Sequence, residues 1–247
     1  MELTSNINVK SIDKLISPEM VKNLFPLSEK IEKKVIGWRK QVSDIISGKD
    51  SRLLVVVGPC SIHDKKSALE YAEKLKLIAD SVSEQVLVVM RVYFEKPRTT
   101  IGWKGLINDP FLDGSCRIDD GLKLAREILL SINNIGLPVG CEFLDVFTPQ
   151  YYDDLVSWGA IGARTTESQL HRQLASGLSM SIGFKNRTDG NIDVAINGML
   201  SAKNAHSFLG IDINGCASIV NTCGNDNSCI VLRGGSNGKN IDNNNIN

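Results

Sequence analysis

The 247-residue sequence predicts an α/β fold in which parallel strands alternate with helices. From Arg52 onwards, short and nearly continuous apolar runs are separated by amphipathic segments. This pattern is typical of parallel strands that are buried on both faces. The length suits a single large domain, because α/β barrels commonly reach this size around one core.

Composition and patterning argue against several classes of function. Lys plus Arg and Asp plus Glu each number 28, so no net charge favours nucleic acid or an anionic membrane. The N-terminus lacks a basic segment followed by an apolar one, and no apolar run is long enough to span a bilayer. We therefore expect a cytoplasmic protein with no nucleic-acid or membrane partner. The six cysteines lack paired CxxC spacing, and we expect most of them to be reduced and buried.

Residues 1–50 predict a helical N-terminal extension. Ser17 can cap a helix with Pro18 at its first position, and a second helix can begin near Ser28 and end at Gly48. Apolar residues recur at helical spacing in the second helix, so we expect this stripe to pack on a barrel or on another subunit. The stripe consists of Ile31, Val35, Trp38, Val42, Ile45 and Ile46.

Residues 51–235 predict six strands of a parallel barrel with helices between them. Gly136-Leu137-Pro138 ends one of these helices, while Thr148-Pro149 opens another that we expect Gly159 to close. The predicted strands are 53–57, 86–92, 139–144, 161–164, 182–185 and 230–233.

Two further segments follow a different pattern. Residues 206–211 and 217–222 flank Asn214-Gly215, which predicts an inserted β-hairpin at about 206–222. Residues 236–247 are polar, rich in Asn and without periodicity, so we expect a disordered tail.

Charged residues recur where the predicted strands end. Carboxyl ends of parallel barrel strands converge on one face, where active sites of this architecture lie. A single Lys or Arg is usually a solvated or salt-bridged charge, but clustered cations repel one another unless an anion compensates them. The repetition therefore predicts a phosphorylated or carboxylated substrate. The residues concerned are Arg91, Lys96, Glu142, Arg164, Lys185 and Arg233.

Cys60 lies where the first strand ends, in Gly58-Pro59-Cys60-Ser61. A cysteine at this point can be a metal ligand, a nucleophile or a small buried residue. The spacing alone favours the buried residue.

Five long motifs resemble the type I 3-deoxy-D-arabino-heptulosonate 7-phosphate (DAHP) synthases. They are GPCSIHD at 58–64, MRVYFEKPRTT at 90–100, GWKGLINDP at 102–110, GAIGARTTES at 159–168 and GFKN at 183–186. The resemblance runs from about Ser17 to Gly235. It implies a TIM-type (β/α)8 barrel, incomplete here with about six strands. It also implies a transferase that condenses phosphoenolpyruvate with erythrose 4-phosphate to DAHP and phosphate, the first step of the shikimate pathway to chorismate.

The resemblance also assigns site residues. Lys96, Arg164 and Lys185 would have catalytic roles. Phosphoenolpyruvate would be held by Arg91, Lys96, Arg164, Lys185 and Arg233, in a site lined by Glu142, Gly162 and Ala163. Erythrose 4-phosphate would meet Lys96, Pro97, Arg98 and Thr99.

The resemblance further implies that Cys60 binds a divalent metal, Mn, Fe, Zn or Co, that polarises the aldehyde. The family's other ligands, a His, a Glu and an Asp, lie on and after the last two barrel strands, and His63, His171 and His206 do not match them. We therefore expect a C-terminally truncated chain with an incomplete metal site and no turnover alone. The alternative is an inactive remnant that binds anions or docks on a complete synthase.

Arg187 stands where the family has glycine. The substitution is costly if the turn requires positive φ or if a ligand approaches the backbone closely, whereas an outward-pointing Arg in an ordinary turn is harmless.

Family members are commonly homo-oligomers inhibited by an aromatic amino acid that binds near the inserted hairpin. Gly210 stands where phenylalanine-controlled members carry serine, which favours tyrosine as the effector. The alternative is that the residues of this pocket belong only to the core and an interface. They are Pro149, Gln150, Leu174, Leu178, Ser179, Phe208, Gly210 and Val220.

Overall fold

Six parallel strands curl into part of a barrel in the computed structural model, which describes residues 4–236, 238 and 239. The barrel strands are β1 (Leu53–Val57), β2 (Val86–Arg91), β3 (Val139–Phe143), β4 (Trp158–Ile161), β5 (Ser181–Lys185) and β8 (Ser228–Val231), and the two strands between β5 and β8 are β6 (Ser207–Ile211) and β7 (Ala217–Asn221). The barrel strands pair in the order β1-β2-β3-β4-β5-β8, with each pair parallel. The predicted incomplete barrel of about six strands is confirmed.

Seven α-helices of the described chain surround these strands. The predicted caps are present: the Ser17 hydroxyl accepts a hydrogen bond from the Met20 amide, and Gly136 ends a helix with a left-handed φ of 105°. The helices are α1 (Pro18–Leu24), α2 (Glu29–Ile46), α3 (Lys65–Ser81), α4 (Ile118–Ile135), α5 (Pro149–Tyr152), α6 (Gln169–Gly177) and α7 (Asp193–Ala202), with a 3-10 turn at Asp153–Leu155 after α5.

Alternation along the strands separates an outer core from the barrel interior. Val88 and Met90 of β2 join the core beneath the helices, whereas Leu87 and Val89 face inward with Trp158 of β4. The apolar stripe of α2 packs against this inner cluster through buried Val42, together with the partly buried Ile45 and Ile46. The predicted stripe of the N-terminal helix therefore packs on the barrel.

Gly183 makes room for the large inward side chain of Trp158. A Cβ atom built at Gly183 would collide with the Trp158 ring and would lie 2.7 Å from Val231 Cγ2. A Cβ atom at Gly140 would lie 3.1 Å from the same ring. These glycines allow one indole to fill the space between three strands, so the layer below the cleft is packed.

The fourth strand differs from its prediction. The structure places β4 at Trp158–Ile161, upstream of the predicted run 161–164, and Gly159 lies within it rather than closing a helix. A Cβ atom at Gly159 would lie 2.6 Å from Ile182 and 2.9 Å from Phe143, so this strand needs a small residue beneath large neighbours. Such a strand contains no long apolar run, which is the pattern used to predict the strands. The other five barrel strands begin within two residues of their predicted starts.

The inserted hairpin is confirmed. Strands β6 and β7 pair antiparallel from Ser207–Asn221 to Ile211–Ala217, and Gly215 in the connecting turn has φ of 78°. No helix among residues 4–236 is long and apolar enough to cross a membrane. The disorder predicted for residues 236–247 falls mostly outside the described residues, and the division into extension, barrel and tail remains a prediction.

Candidate active site

A cleft of about 230 Å³ opens at the carboxyl ends of the barrel strands. It contains all five cations and the glutamate that the strand ends predicted, together with Gly162, Ala163 and Pro97. Arg98 lines an adjoining cavity instead, and Thr99 accepts a hydrogen bond from Arg164 Nη2 at 3.2 Å. The complete lining is Arg91, Tyr93, Glu95, Lys96, Pro97, Glu142, Leu144, Gly162, Ala163, Arg164, Lys185 and Arg233.

Strand alternation explains why these charges meet. Arg91 lies two positions after inward Val89, and Lys185 lies two positions after Gly183, so both continue the inner rows of their strands. Neighbouring strands run parallel, so the carboxyl ends of these rows lie at the same end of the barrel. The last inner layer is therefore charged, while the layer below it is apolar.

Most of the positive charge in the cleft is not neutralised. Lys185 forms an ion pair with Glu142, whereas no carboxylate partner is recorded for Arg91, Lys96 or Arg164 among the described residues. Arg91 Nη2 donates to the Cys60 carbonyl at 3.1 Å. Clustered cations that lack carboxylates are stabilised by a bound anion, and guanidinium groups match phosphate or carboxylate in a bidentate manner.

Cys60 contacts the cleft cations Arg91 and Lys96 and is exposed, so the interpretation of a small buried residue is wrong. Lys96 Nζ donates to the Cys60 sulfur at 2.9 Å, and this hydrogen bond lowers the pKa of the thiol. All six cysteines are free, but only Cys141 is fully buried, so the expected burial of most of them is also wrong.

Glu95 is a buried acid beside the cleft that sequence analysis did not select. Its side chain accepts hydrogen bonds from the amides of Leu144 and Asp145 at 3.3 and 3.1 Å, and from the Thr148 hydroxyl at 3.3 Å. Burial nevertheless raises the pKa of Glu95 to about 8. Glu95 thereby connects the segment before Lys96 with the loop after β3.

The raised pKa of Glu95 gives a testable dependence of stability on pH. The folded protein favours the protonated form of Glu95, because the folded pKa of about 8 exceeds the unfolded value near 4.5. The resulting stabilisation is fully present below pH 4.5 and is lost as pH rises through 8. Relative to Glu95→Gln, the free energy of unfolding of the wild type should fall by about 2–4 kcal/mol between pH 5 and pH 9. Urea unfolding at both pH values measures this difference. Exposed Glu84→Gln is the control, and a difference for Glu95→Gln that is constant with pH would contradict the prediction.

A smaller cavity of about 50 Å³ lies between α5, α6 and the hairpin. It contains seven of the eight residues predicted for the effector pocket, and Ser179 is the one outside its lining. A Cβ atom at Gly210 would lie 2.7 Å from Val220 Cγ2, so a side chain at this position would displace Val220. The seven residues are Pro149, Gln150, Leu174, Leu178, Phe208, Gly210 and Val220.

The sequence profile of the DAHP synthetase I family matches residues 25–247. The chain belongs to this family. A relative from Corynebacterium glutamicum, named phospho-2-dehydro-3-deoxyheptonate aldolase, is 54% identical over 97% of this chain and 65% of its own length. The Tyr-sensitive enzyme of that name from Escherichia coli K12 is 54% identical over 94% of this chain and 65% of its own length.

A solved structure of a DAHP synthetase family relative supports the same fold. The phospho-2-dehydro-3-deoxyheptonate aldolase of Francisella tularensis SCHU S4 superposes with a TM-score of 0.95 at 51% identity, covering 97% of this chain and 70% of that one. The partial barrel is therefore of the TIM type. The chain spans 65% of the length of the two curated relatives described above.

The described residues do not form a complete metal centre of the kind expected for a DAHP synthetase. No group of three or more His, Cys, Asp or Glu residues that could hold a metal occurs among them. One thiol alone does not fix an open metal site. His171 and His206 have structural contacts, since their Nε2 atoms bond the carbonyls of Leu144 and Ser201.

Arg187 is accommodated without positive φ, so the condition for backbone strain in this DAHP synthetase loop is not met. Its side chain is 40% exposed and forms ion pairs with Asp189 and with Glu167, the latter at 3.2 Å. The outward-pointing Arg in an ordinary turn is the interpretation that the structure supports.

Three cleft residues were missed by sequence analysis: Tyr93, Glu95 and Leu144. The signal that could have found the first two is the continued alternation after β2, because Arg91, Tyr93 and Glu95 occupy every second position. Leu144 follows Phe143, the last residue of β3.

Proposed function

We propose that this chain carries the phosphoenolpyruvate site and the synthase activity of its family. The reaction would condense phosphoenolpyruvate with erythrose 4-phosphate to DAHP and phosphate. The observation that supports this most strongly is the cluster of five cations in one cleft, of which only Lys185 has a recorded carboxylate partner among the described residues. Phosphoenolpyruvate carries a phosphate and a carboxylate, so a cluster with several separate cations suits its charge.

The arrangement of the cations suggests how the substrates are positioned. Arg91, Arg164, Lys185 and Arg233 would hold the two anionic groups of phosphoenolpyruvate. Lys96 lines both this cleft and the adjoining cavity of about 270 Å³ that contains Arg98, where we place erythrose 4-phosphate. Holding both anions on either side of Lys96 would bring the nucleophilic enol carbon to the aldehyde carbon.

Other parts of the proposal concern regulation and environment. The hairpin cavity would bind an aromatic amino acid, with tyrosine favoured by Gly210, and the relatives include both Tyr-sensitive and Phe-sensitive enzymes. We further propose a cytoplasmic homo-oligomer. Cys60 as a ligand of Mn, Fe, Zn or Co also remains a proposal, with donors other than the described residues completing the site.

The test is release of inorganic phosphate by the purified chain with both substrates and added Mn²⁺. Donors other than the described residues would complete the metal site, so we expect turnover with added Mn²⁺ although the sequence alone argued against it. Release should require both substrates and fall by at least about 30-fold in Arg164→Met, since loss of a charged partner commonly costs 2–5 kcal/mol. Lys203→Met, on an exposed ion pair outside the cleft, is the matched control and should retain activity. Binding of phosphoenolpyruvate without turnover would favour the remnant that binds anions. A folded chain with neither binding nor turnover would contradict the proposal.

A further inference from the structure

Tyr93 is a buried aromatic residue within the cationic cleft. Its side chain is 4% exposed, yet it contributes to the lining of the cleft. It belongs to the inner cluster with Leu87, Val89 and Trp158, so its ring is fixed by the packed layer beneath the charges. A rigid ring in this place can orient the groups above it.

Two of the cleft cations lie against this ring. The guanidinium carbon of Arg91 is 4.1 Å from the ring centroid, and Lys185 Nζ is 5.2 Å from it. Both distances are within the range of about 6 Å in which a ring face attracts a cation. Arg91 belongs to β2 and Lys185 to β5, so one ring contacts charges from two separate strands.

A neutral ring has an advantage over a carboxylate at this position. A carboxylate would hold the cations but cancel the charge that attracts an anionic ligand, whereas the ring quadrupole attracts cations without adding net charge. Burial raises the pKa of Tyr93, so the phenol stays neutral. Arg91 Nε is buried without a hydrogen-bond partner among the described residues.

We propose that Tyr93 is a positioning residue whose ring holds Arg91 and Lys185 together for an anion that carries phosphate and carboxylate groups. This inference rests on the proposed phosphoenolpyruvate site. It attributes the positioning of the two cations to the face of the ring and not to the phenol hydroxyl. Replacing Tyr93 with Phe should therefore change the affinity for phosphoenolpyruvate by less than roughly 3-fold, because the face of the ring is kept.

The experiment replaces Tyr93 with Phe, 3,5-difluorophenylalanine and 3,4,5-trifluorophenylalanine, and measures phosphoenolpyruvate binding by calorimetry. Fluorine withdraws electron density from the ring face while the side chain keeps nearly the same size. We expect affinity to decline in steps, by roughly 5- to 30-fold from Phe to the trifluoro ring. The control is the same pair of fluorinated residues at Phe143, a buried ring of the outer core. No cation contacts this ring in the described chain, so fluorination there should leave the affinity for phosphoenolpyruvate unchanged.

The outcomes separate this inference from the proposed function. If the wild type binds phosphoenolpyruvate but the fluorinated series at Tyr93 is flat, the positioning role is wrong and the proposed site stands. A large loss of phosphoenolpyruvate affinity on replacing Tyr93 with Phe would attribute the positioning role to the hydroxyl and overturn the inference. If the folded wild type does not bind phosphoenolpyruvate, both fail. Thermal unfolding of each variant shows whether folding is retained.

Discussion

Replacement of Arg126 by Ala is expected to lower the free energy of unfolding by about 3–5 kcal/mol, because it removes a buried charge and leaves its partners unpaired. The Arg126 side chain is 1% exposed and bonds both carboxylate oxygens of Asp154, at 2.7 and 2.9 Å. It also donates to the carbonyls of Phe25 and Tyr151. One side chain of α4 thus joins the end of α1 to the segment of α5. Urea unfolding of the wild type and the variant measures the change in the free energy of unfolding.

Arg117→Ala is the matched control for this substitution. Arg117 lies just before α4 and pairs with Asp120, but its side chain is 62% exposed. An exposed pair of this kind contributes about 0.5 kcal/mol, so the control should stay close to the wild type. If Arg126→Ala were no more destabilising than Arg117→Ala, the buried network would not hold the extension to the barrel.

Replacement of Lys185 by Met is expected to weaken phosphoenolpyruvate binding by about 30- to 5000-fold, which corresponds to 2–5 kcal/mol for a buried charged partner. Lys185 is 18% exposed, and its partner Glu142 is 8% exposed. The substitution removes one attraction for the ligand and also leaves the Glu142 carboxylate uncompensated in the cleft. Calorimetric titration with phosphoenolpyruvate measures both contributions together.

The double variant Lys185→Met with Glu142→Gln separates these contributions. Removing the unpaired carboxylate should restore part of the lost affinity, so the effects of the two substitutions should not add. Equal affinity of the single and double variants would show that Glu142 repulsion has no role. Unchanged affinity in Lys185→Met itself would remove Lys185 from the proposed site.

Sequence analysis could predict the main elements of the site because the apolar pattern of a strand directly determines where its last residues lie. Apolar runs locate five of the six barrel strands, and strand alternation then carries Arg91 and Lys185 into the cleft. The fourth strand was misplaced because Gly159 is small to fit beneath neighbouring side chains, and that requirement exists only in three dimensions.

Contacts between distant segments could not be predicted from the sequence. The bonds of Glu95 to Leu144 and Asp145, and the approach of Lys185 to the Tyr93 ring, depend on distances that no local pattern encodes. Burial likewise decides that Glu95 has a raised pKa, whereas its sequence neighbours suggest only a charged loop. The resemblance to known synthases identified ligand-binding candidates but not the residues that hold them in place.

The central claim is that the cations at the strand ends form one anion site for phosphoenolpyruvate. The most direct test is calorimetric titration of the purified 247-residue chain, compared with the Arg164→Met/Arg233→Met double variant. The cleft predicts one ligand per chain, weaker binding at higher salt, and loss of binding in the folded double variant. Absence of binding by the folded wild type, or equal binding by the double variant, would contradict it.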